Sequence, residues 1–217
     1  MNFELFAPEA HDNLLPYDGV VKDYGLILDA DECQQYFDYF HQFLAWQPDE
    51  VMLYGQYFKT DRKVAWYGDA DYQYNYSGMS KQAQSWHPLL LKLKQQIEYM
   101  TGHSFNSCLA NLYEHGKQGT GWHSDNEASL RSAEYETVIA SLSLGATRKF
   151  RFKHKITAET VDLLLYSGQL IVMKGQTQEY WKHTIAKSSK VTEPRINLTF
   201  RYFFPKSIAS VDVFREK

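Results

Sequence analysis

Residues 194–201 have the sequence Pro-Arg-Ile-Asn-Leu-Thr-Phe-Arg, in which apolar and polar side chains alternate. Successive side chains of a β-strand point to opposite faces, so this stretch predicts a strand. One face would present three apolar residues suited to a core. The other would present two guanidiniums and an amide, from Arg195, Arg201 and Asn197, which is unexpected on a strand otherwise suited to burial.

Short runs with the same period of two continue through most of the chain after Gly102. They are rich in β-branched and aromatic residues, and turn residues separate several of them. The predicted strands are 104–114, 138–144, 148–154, 163–166, 169–173 and 197–204. Many short strands at such spacing are typical of an all-β sandwich or barrel.

Two helices are predicted before these strands. An N-cap at Asp29–Asp31 and apolar residues at helical spacing predict a helix over about 31–46. Pro88 in a first turn and Gly102 at a C-cap predict a second over about 87–101. With residues 1–28 irregular apart from short strands, the expected fold is mainly β (α+β). It is a double-stranded β-helix (jelly roll) with supporting N-terminal helices.

The composition is that of one folded domain. Of 217 residues, 44% are hydrophobic, and the 16 Tyr, 13 Phe and 5 Trp can form a sizeable core. We therefore expect a single domain, 1–217, with 1–50 as an N-terminal extension. Two cysteines make no disulfide framework, no stretch approaches the roughly 18 apolar residues of a membrane helix, and the N-terminus lacks a secretory pattern. These features predict a location in the cytoplasm, or in the nucleus if the source is eukaryotic, with no membrane partner. The sequence leaves the oligomeric state open, and a monomer is the default expectation.

The charge is unevenly distributed along the chain. The net charge is −3, but residues 148–217 have +8 and residues 1–147 have −11. This asymmetry predicts one basic surface on an otherwise acidic protein. The alternative is that the two halves interleave in space and the field averages out.

A candidate metal site begins with His123 and Asp125. Residues two apart in an extended strand point to the same side, so both could reach one ion. His183, just after a predicted strand, is the candidate third ligand. Two histidines and one carboxylate leave coordination positions open, as in Fe(II) enzymes that bind O2 and a chelating cosubstrate. His-x-Asp is a weak signal alone, but the two arginines beyond His183 suit the carboxylate of such a chelator.

Together these segments resemble the AlkB family of Fe(II)/2-oxoglutarate dioxygenases, especially its subgroup that repairs alkylated nucleic acids. The resemblance extends from about Val51 to Phe204, and its motifs are Asn-Leu-Tyr at 111–113, His-Ser-Asp at 123–125, Tyr-Trp-Lys-His at 180–183 and the stretch 194–201. It implies that His123, Asp125 and His183 hold Fe(II), and that 2-oxoglutarate and O2 are cosubstrates.

The resemblance also assigns the cosubstrate contacts. Arg195 would hold the distal carboxylate of 2-oxoglutarate, helped by Tyr113 and Asn197. Arg201 and Asn111 would lie near the end that chelates the metal.

The implied reaction is oxidative dealkylation of N-alkylated bases in DNA or RNA, in which hydroxylation of the N-methyl group leads to release of formaldehyde. A base in a duplex must be flipped out to react. The resemblance places Tyr74 and Tyr76 at the wall of the base pocket, Glu127 at the exocyclic amino group with Asn126 close by, and Tyr54 as a wedge in the duplex. A half-buried sheet face is the alternative role for a Tyr-rich strand.

A row of cations shares one face of the strand 148–155, opposite Phe150 and Phe152. We expect Arg151 and Lys153 to contact nucleic-acid phosphates, with Arg62 as a lesser candidate. A solvated sheet edge protected from aggregation is the alternative.

Two other functions remain open from the sequence. The same catalytic core could hydroxylate a protein side chain, a lipid or a small molecule. A β-sandwich could instead bind nucleic acid without catalysis.

Overall fold

A computed structural model describes residues 13–53, 56–76, 79–132 and 134–204 of the chain. The prediction for Tyr54 falls outside these residues. The backbone strand that contains Tyr74 and Tyr76 is described, but their side chains fall outside the described part as well.

Most of the elements are strands, with two long helices among them, so the predicted fold class, mainly β, is confirmed. In chain order they are β1 (Val20–Leu26), α1 (Ala30–Phe43), β2 (Gln47–Leu53), β3 (Gln56–Gly68), β4 (Gln73–Tyr76), β5 (Met79–Gln82), β6 (Gln84–Ser85), α2 (Pro88–Thr101), β7 (Ser107–Tyr113), a 3-10 turn (Ala128–Leu130), β8 (Ile139–Gly145), β9 (Arg148–His154), β10 (Thr160–Leu165), β11 (Gln169–Lys174), α3 (Thr177–Tyr180), β12 (Trp181–Ile185) and β13 (Arg195–Arg201).

The strands form a large sheet and a small sheet. The large sheet has the order β1-β11-β8-β13-β7-β3-β2, with β6 beside β3, and the small sheet has the order β10-β9-β12. All pairs are antiparallel except β3 with β6. Strands β4 and β5 form a separate hairpin.

The large sheet is buried on both faces. One hydrophobic cluster joins its first face to α1 and α2, and it includes Ile196, Leu198 and Phe200 of β13. A second cluster joins its other face to the small sheet and includes Phe150 and Phe152 of β9. The alternation along β13 therefore directs its apolar residues to the helices and its polar residues to the space between the sheets.

The helix ends follow the predicted capping signals. Asp29 accepts a hydrogen bond from the backbone N–H of Glu32, and the Glu32 side chain accepts one from that of Asp29, which completes a capping box. Pro88 is in the first turn of α2, and Gly102 ends that helix at φ 71°, a left-handed conformation that suits glycine.

The structure corrects the predicted environment of the metal-site residues. His183 lies inside strand β12, not after a strand. His123 lies outside the regular strands and pairs with His183 through an isolated bridge. Strand β3 was not predicted because its centre, Lys59–Lys63, is polar throughout.

No helix within the described ranges is long and apolar enough to cross a membrane.

Candidate active site

Between the two sheets, His123, Asp125 and His183 converge. The backbone N–H of each histidine donates to the carbonyl of the other, at 3.1 and 2.7 Å, which ties the segment after β7 to strand β12. The backbone N–H of Asp125 donates to the Gln178 side chain at 2.9 Å. One candidate ligand atom from each of the three side chains lies within 4.8 Å of the other two.

The protonation states of these residues suit a cation. Burial alone would raise the pKa of Asp125, but Arg201 and the two histidines bring it well below its usual range, so the carboxylate is ionised. Burial, with a contribution from His123, lowers the pKa of His183 to about 3, so its imidazole is neutral at pH 7 and has a free lone pair.

The orientations of the histidine rings also suit a bound cation. Nδ1 of His123 is 2.9 Å from the carbonyl of Gly121, which leaves Nε2 as the ring nitrogen turned toward the cluster. This Nε2 is 3.8 Å from Oδ1 of Asp125, and Nε2 of His183 is 4.0 Å from the same oxygen. Two imidazole nitrogens and a carboxylate oxygen therefore lie together, a donor set that fits Fe(II).

A small cavity of about 130 Å³ adjoins the cluster. Four of the predicted cosubstrate residues line it: Asn111, Tyr113, Asn197 and Arg201. Within the described part of the chain, Oδ1 of Asn111 has no hydrogen-bond partner although the residue is buried. Arg201 donates to Oδ2 of Asp125 at 2.6 Å, which brings it to the metal end of the cavity.

Arg195 is fully buried and does not line this cavity, but it contacts two residues that do, Asn197 and Tyr113. Its Nη2 donates to Ser143 Oγ at 2.8 Å and to Asn197 Oδ1 at 2.7 Å, and its guanidinium carbon is 5.8 Å from the centre of the Tyr113 ring. Its Nε and Nη1 have no partner among the residues described. Burial and the neighbouring Arg148 lower the pKa of Arg195 to about 10, so it remains a buried cation at neutral pH.

A larger cavity of about 820 Å³ opens onto the same centre, and His123, Glu127 and Arg201 line both cavities. Oε2 of Glu127 is buried and has no hydrogen-bond partner in the described ranges. Asn126 lines the larger cavity only. The predicted pair Asn126 and Glu127 thus lies where a second substrate would meet the metal cluster.

The outer face of β9 is partly neutralised. Arg151 and Lys149 both pair with Asp162 of β10, at 2.6 and 3.3 Å. Lys153 is exposed, and the strand register sets it opposite Lys182 of β12, which is exposed too. The structure thus puts Lys153 in solvent as predicted and gives Arg151 an acidic neighbour.

Arg62, a predicted phosphate contact, occupies a different environment. Its side chain is about 20% exposed and forms an ion pair of 2.9 Å with the buried Asp49. It lines both cavities instead of the outer basic face. Arg62 therefore has the position of a pocket-wall residue rather than that of a residue that contacts phosphates at the surface.

Three residues near the centre were missed from the sequence. Phe150 stacks on the His183 ring with 5.3 Å between centroids. Arg148 is buried, donates to the carbonyls of Gly116, Gln118 and Ala186, and lies 5.8 Å from the Tyr113 ring. Arg148 could have been found from the sequence, because the alternation along β9 sets it on the same face as the phenylalanines. Trp122, 40% exposed in the wall of the larger cavity, had no comparable signal.

Comparison with known proteins identifies the family. A model of the 2OG-Fe(II) oxygenase superfamily matches residues 26–201. The alpha-ketoglutarate-dependent dioxygenase alkB homolog 3 of Bos taurus is 45% identical over 157 residues, which are 68% of this chain and 54% of that protein. The DNA oxidative demethylase ALKBH2 of Mus musculus is 36% identical over 182 residues, 80% of this chain and 73% of that protein. The chain spans about half the length of the alkB homolog 3 proteins.

The fold comparison agrees with these matches. The solved structure of OsALKBH1 superposes with a TM-score of 0.59 at 18% identity, covering 86% of this chain and 99% of that one. The fold, the family model and the relatives lead to one conclusion: the chain belongs to the 2OG-Fe(II) oxygenase superfamily and, within it, to the AlkB family.

Proposed function

We propose that this protein removes alkyl groups from N-alkylated bases of DNA by oxidation. The family's cofactor is Fe(II), and its cosubstrates are 2-oxoglutarate and O2. Bound Fe(II), together with both cosubstrates, supplies the oxidising power needed to hydroxylate the carbon of an N-methyl group. The hydroxylated product then releases formaldehyde and the unmodified base.

In this proposal His123, Asp125 and His183 hold the iron. The small cavity takes 2-oxoglutarate, with Arg201 and Asn111 at the metal end. Tyr113, Asn197 and Arg195 lie at the distal end, where the buried guanidinium provides the counter-charge for a carboxylate.

The observation that supports a base as the substrate is the free oxygen of Glu127. A carboxylate can only accept hydrogen bonds, and this oxygen lies buried in the wall of both cavities. The exocyclic amino group of adenine or cytosine is a donor that suits it. Because both cavities meet at Glu127 and His123, a base held there has its alkylated edge beside the iron ligands.

The wall positions proposed for Tyr74 and Tyr76, and the wedge role of Tyr54, belong to this proposal by resemblance. We further propose a monomeric state, RNA as a further substrate, and a location in the cytoplasm or the nucleus, where DNA is found. Two relatives are named as DNA oxidative demethylases, which supports DNA as the primary substrate.

A formaldehyde-release assay tests the function. We expect formaldehyde from an oligonucleotide containing N1-methyladenine or N3-methylcytosine, only when Fe(II) and 2-oxoglutarate are both present, and none from the unmodified twin. Binding of both oligonucleotides without release would favour the non-catalytic β-sandwich. Turnover of 2-oxoglutarate without preference for the methylated oligonucleotide would favour a protein, lipid or small-molecule substrate.

The basic face gives a separate prediction. Replacing the exposed Lys153 with Gln should reduce the steepness of the plot of log binding constant against log salt concentration by about 0.7–0.9, because one fewer phosphate is neutralised. Fluorescence anisotropy of a labelled oligonucleotide measures this slope. Lys92→Gln, an exposed lysine on α2, is the control. An equal slope for Lys153→Gln and wild type would show that Lys153 of β9 does not contact the nucleic acid.

A further inference from the structure

Arg62 lies in the wall between the two cavities and lines both of them. Its Nη2 and Nε are each 2.9 Å from Oδ2 of Asp49, whose exposed fraction is 4%. Two nitrogens of the guanidinium therefore contact one oxygen of a buried carboxylate, which restricts the orientation of the partly buried arginine.

A bulge in the β2–β3 hairpin creates this contact. Pro48 pairs with Lys63 and Glu50 pairs with Lys59, so three residues of β3 lie opposite Asp49. Thr60 and Arg62 both direct their side chains to the Asp49 carboxylate, with Thr60 Oγ1 at 3.3 Å. Bulges commonly redirect a side chain next to an active site.

The neighbour of Arg62 on the next strand is Tyr113. Lys63 of β3 pairs with Leu112 of β7, and Arg62 and Tyr113 are the residues next to this pair. Both line the small cavity, and the Tyr113 ring is 5.8 Å from the guanidinium carbon of Arg195. Arg62 is thus held by Asp49 at one side and lies next to the proposed 2-oxoglutarate residues at the other.

Stability of the fold does not explain this arrangement. A buried ion pair is costly to desolvate, and well-packed apolar residues of similar volume stabilise a fold as well or better. A role in ligand binding accounts for the ion pair, because the Arg62 guanidinium lines both cavities and can contact the occupant of each.

We infer that Asp49 is a positioning residue that holds Arg62 in the wall between the two cavities, so that a methylated base in the larger cavity and 2-oxoglutarate in the small one strengthen each other's binding. The inference rests on the proposed function and adds energetic coupling between the two ligands. Coupling of this kind is reciprocal, so each ligand must raise the affinity for the other by the same factor.

Equilibrium binding with the Mn(II)-loaded protein tests the inference without turnover. The dissociation constant of 2-oxoglutarate is measured by calorimetry, with and without a saturating single-stranded oligonucleotide that contains N3-methylcytosine. For wild type we expect the oligonucleotide to tighten 2-oxoglutarate binding by about fivefold or more, the lower end of typical coupling. For Asp49→Asn we expect weaker 2-oxoglutarate binding and a coupling factor near one.

Asp61→Asn is the matched control. Asp61 is next to Arg62 on β3, is exposed and pairs with Lys187, so its variant should keep the wild-type coupling. Arg62→Lys, which retains the charge but loses the two-nitrogen contact, should resemble Asp49→Asn. Asp49→Glu, which retains the carboxylate, should recover part of the coupling.

The outcomes separate the inference from the proposed function. If wild type binds neither 2-oxoglutarate nor the methylated oligonucleotide, the proposed function is wrong. If wild type binds both and Asp49→Asn keeps the full coupling, Asp49 has no positioning role. Should Asp49→Asn unfold, Arg62→Lys decides the matter, since it keeps the charge and loses the two-nitrogen contact with Asp49: loss of coupling supports the inference, and intact coupling overturns it.

Discussion

His123→Ala is expected to lower the rate of formaldehyde release at least about 100-fold, since even indirect partners of a metal ligand change affinity or activity by 10- to 100-fold. The His123 side chain is 41% exposed, so its truncation leaves the core between the sheets intact. The same loss is expected for Asp125→Ala. Steady-state assays with saturating Fe(II) and 2-oxoglutarate measure the effect, and circular dichroism confirms the fold.

His115→Ala is the control for this experiment, because His115 is exposed and lines neither cavity. The Asp125→Ala variant should also be less stable than the His123→Ala variant. Removing Asp125 leaves the cation of Arg201 without the carboxylate it contacts at 2.6 Å, which destabilises the fold. A His123→Ala protein with near-wild-type turnover would show that the ligand assignment is wrong.

Arg195→Met is expected to raise the concentration of 2-oxoglutarate needed for half-maximal rate by at least about 30-fold. Truncating one partner of a buried, hydrogen-bonded charge pair costs at least about 2 kcal/mol, which corresponds to that factor. Methionine approximates the volume of the arginine stem, so the packing around Tyr113 and Ser143 is retained. Arg195→Lys keeps the charge but cannot form the planar two-point contact, and an intermediate effect is expected.

Two measurements make this prediction specific. The thermal unfolding midpoint should fall little for Arg195→Met, because the substitution removes a buried cation as well as two hydrogen bonds. Arg131→Ala, at an exposed arginine outside both cavities, should leave the 2-oxoglutarate requirement unchanged. An unchanged 2-oxoglutarate requirement in Arg195→Met would show that another residue provides the counter-charge, such as Arg62, which lines the small cavity.

The strand at 195–201 and the direction of its apolar face were predictable because its two faces differ so strongly in chemistry. Apolar and polar residues alternate without a break, so the pattern alone fixes which side chains face the helices. The three clustered residues were likewise found from residue type and spacing. Their local backbone was not, because an isolated bridge between His123 and His183 leaves no periodic signal in the sequence.

Contacts that depend on strand register could not be read from the sequence. Arg151 meets Asp162 because β9 and β10 pair in one particular alignment. Arg62 meets Asp49 only because of the bulge in the β2–β3 hairpin. A polar segment such as 59–63 predicts exposure, which is why Arg62 was expected on the surface and not in the wall between two cavities.

Anomalous diffraction from crystals grown with Mn(II) and 2-oxoglutarate can locate the metal and the cosubstrate in one experiment. We predict one strong manganese peak bonded to Nε2 of His123, the Asp125 carboxylate and Nε2 of His183, with the distal carboxylate of 2-oxoglutarate on the side of Arg195. A peak that involves other side chains, or a cosubstrate bound away from Arg195, would contradict this prediction.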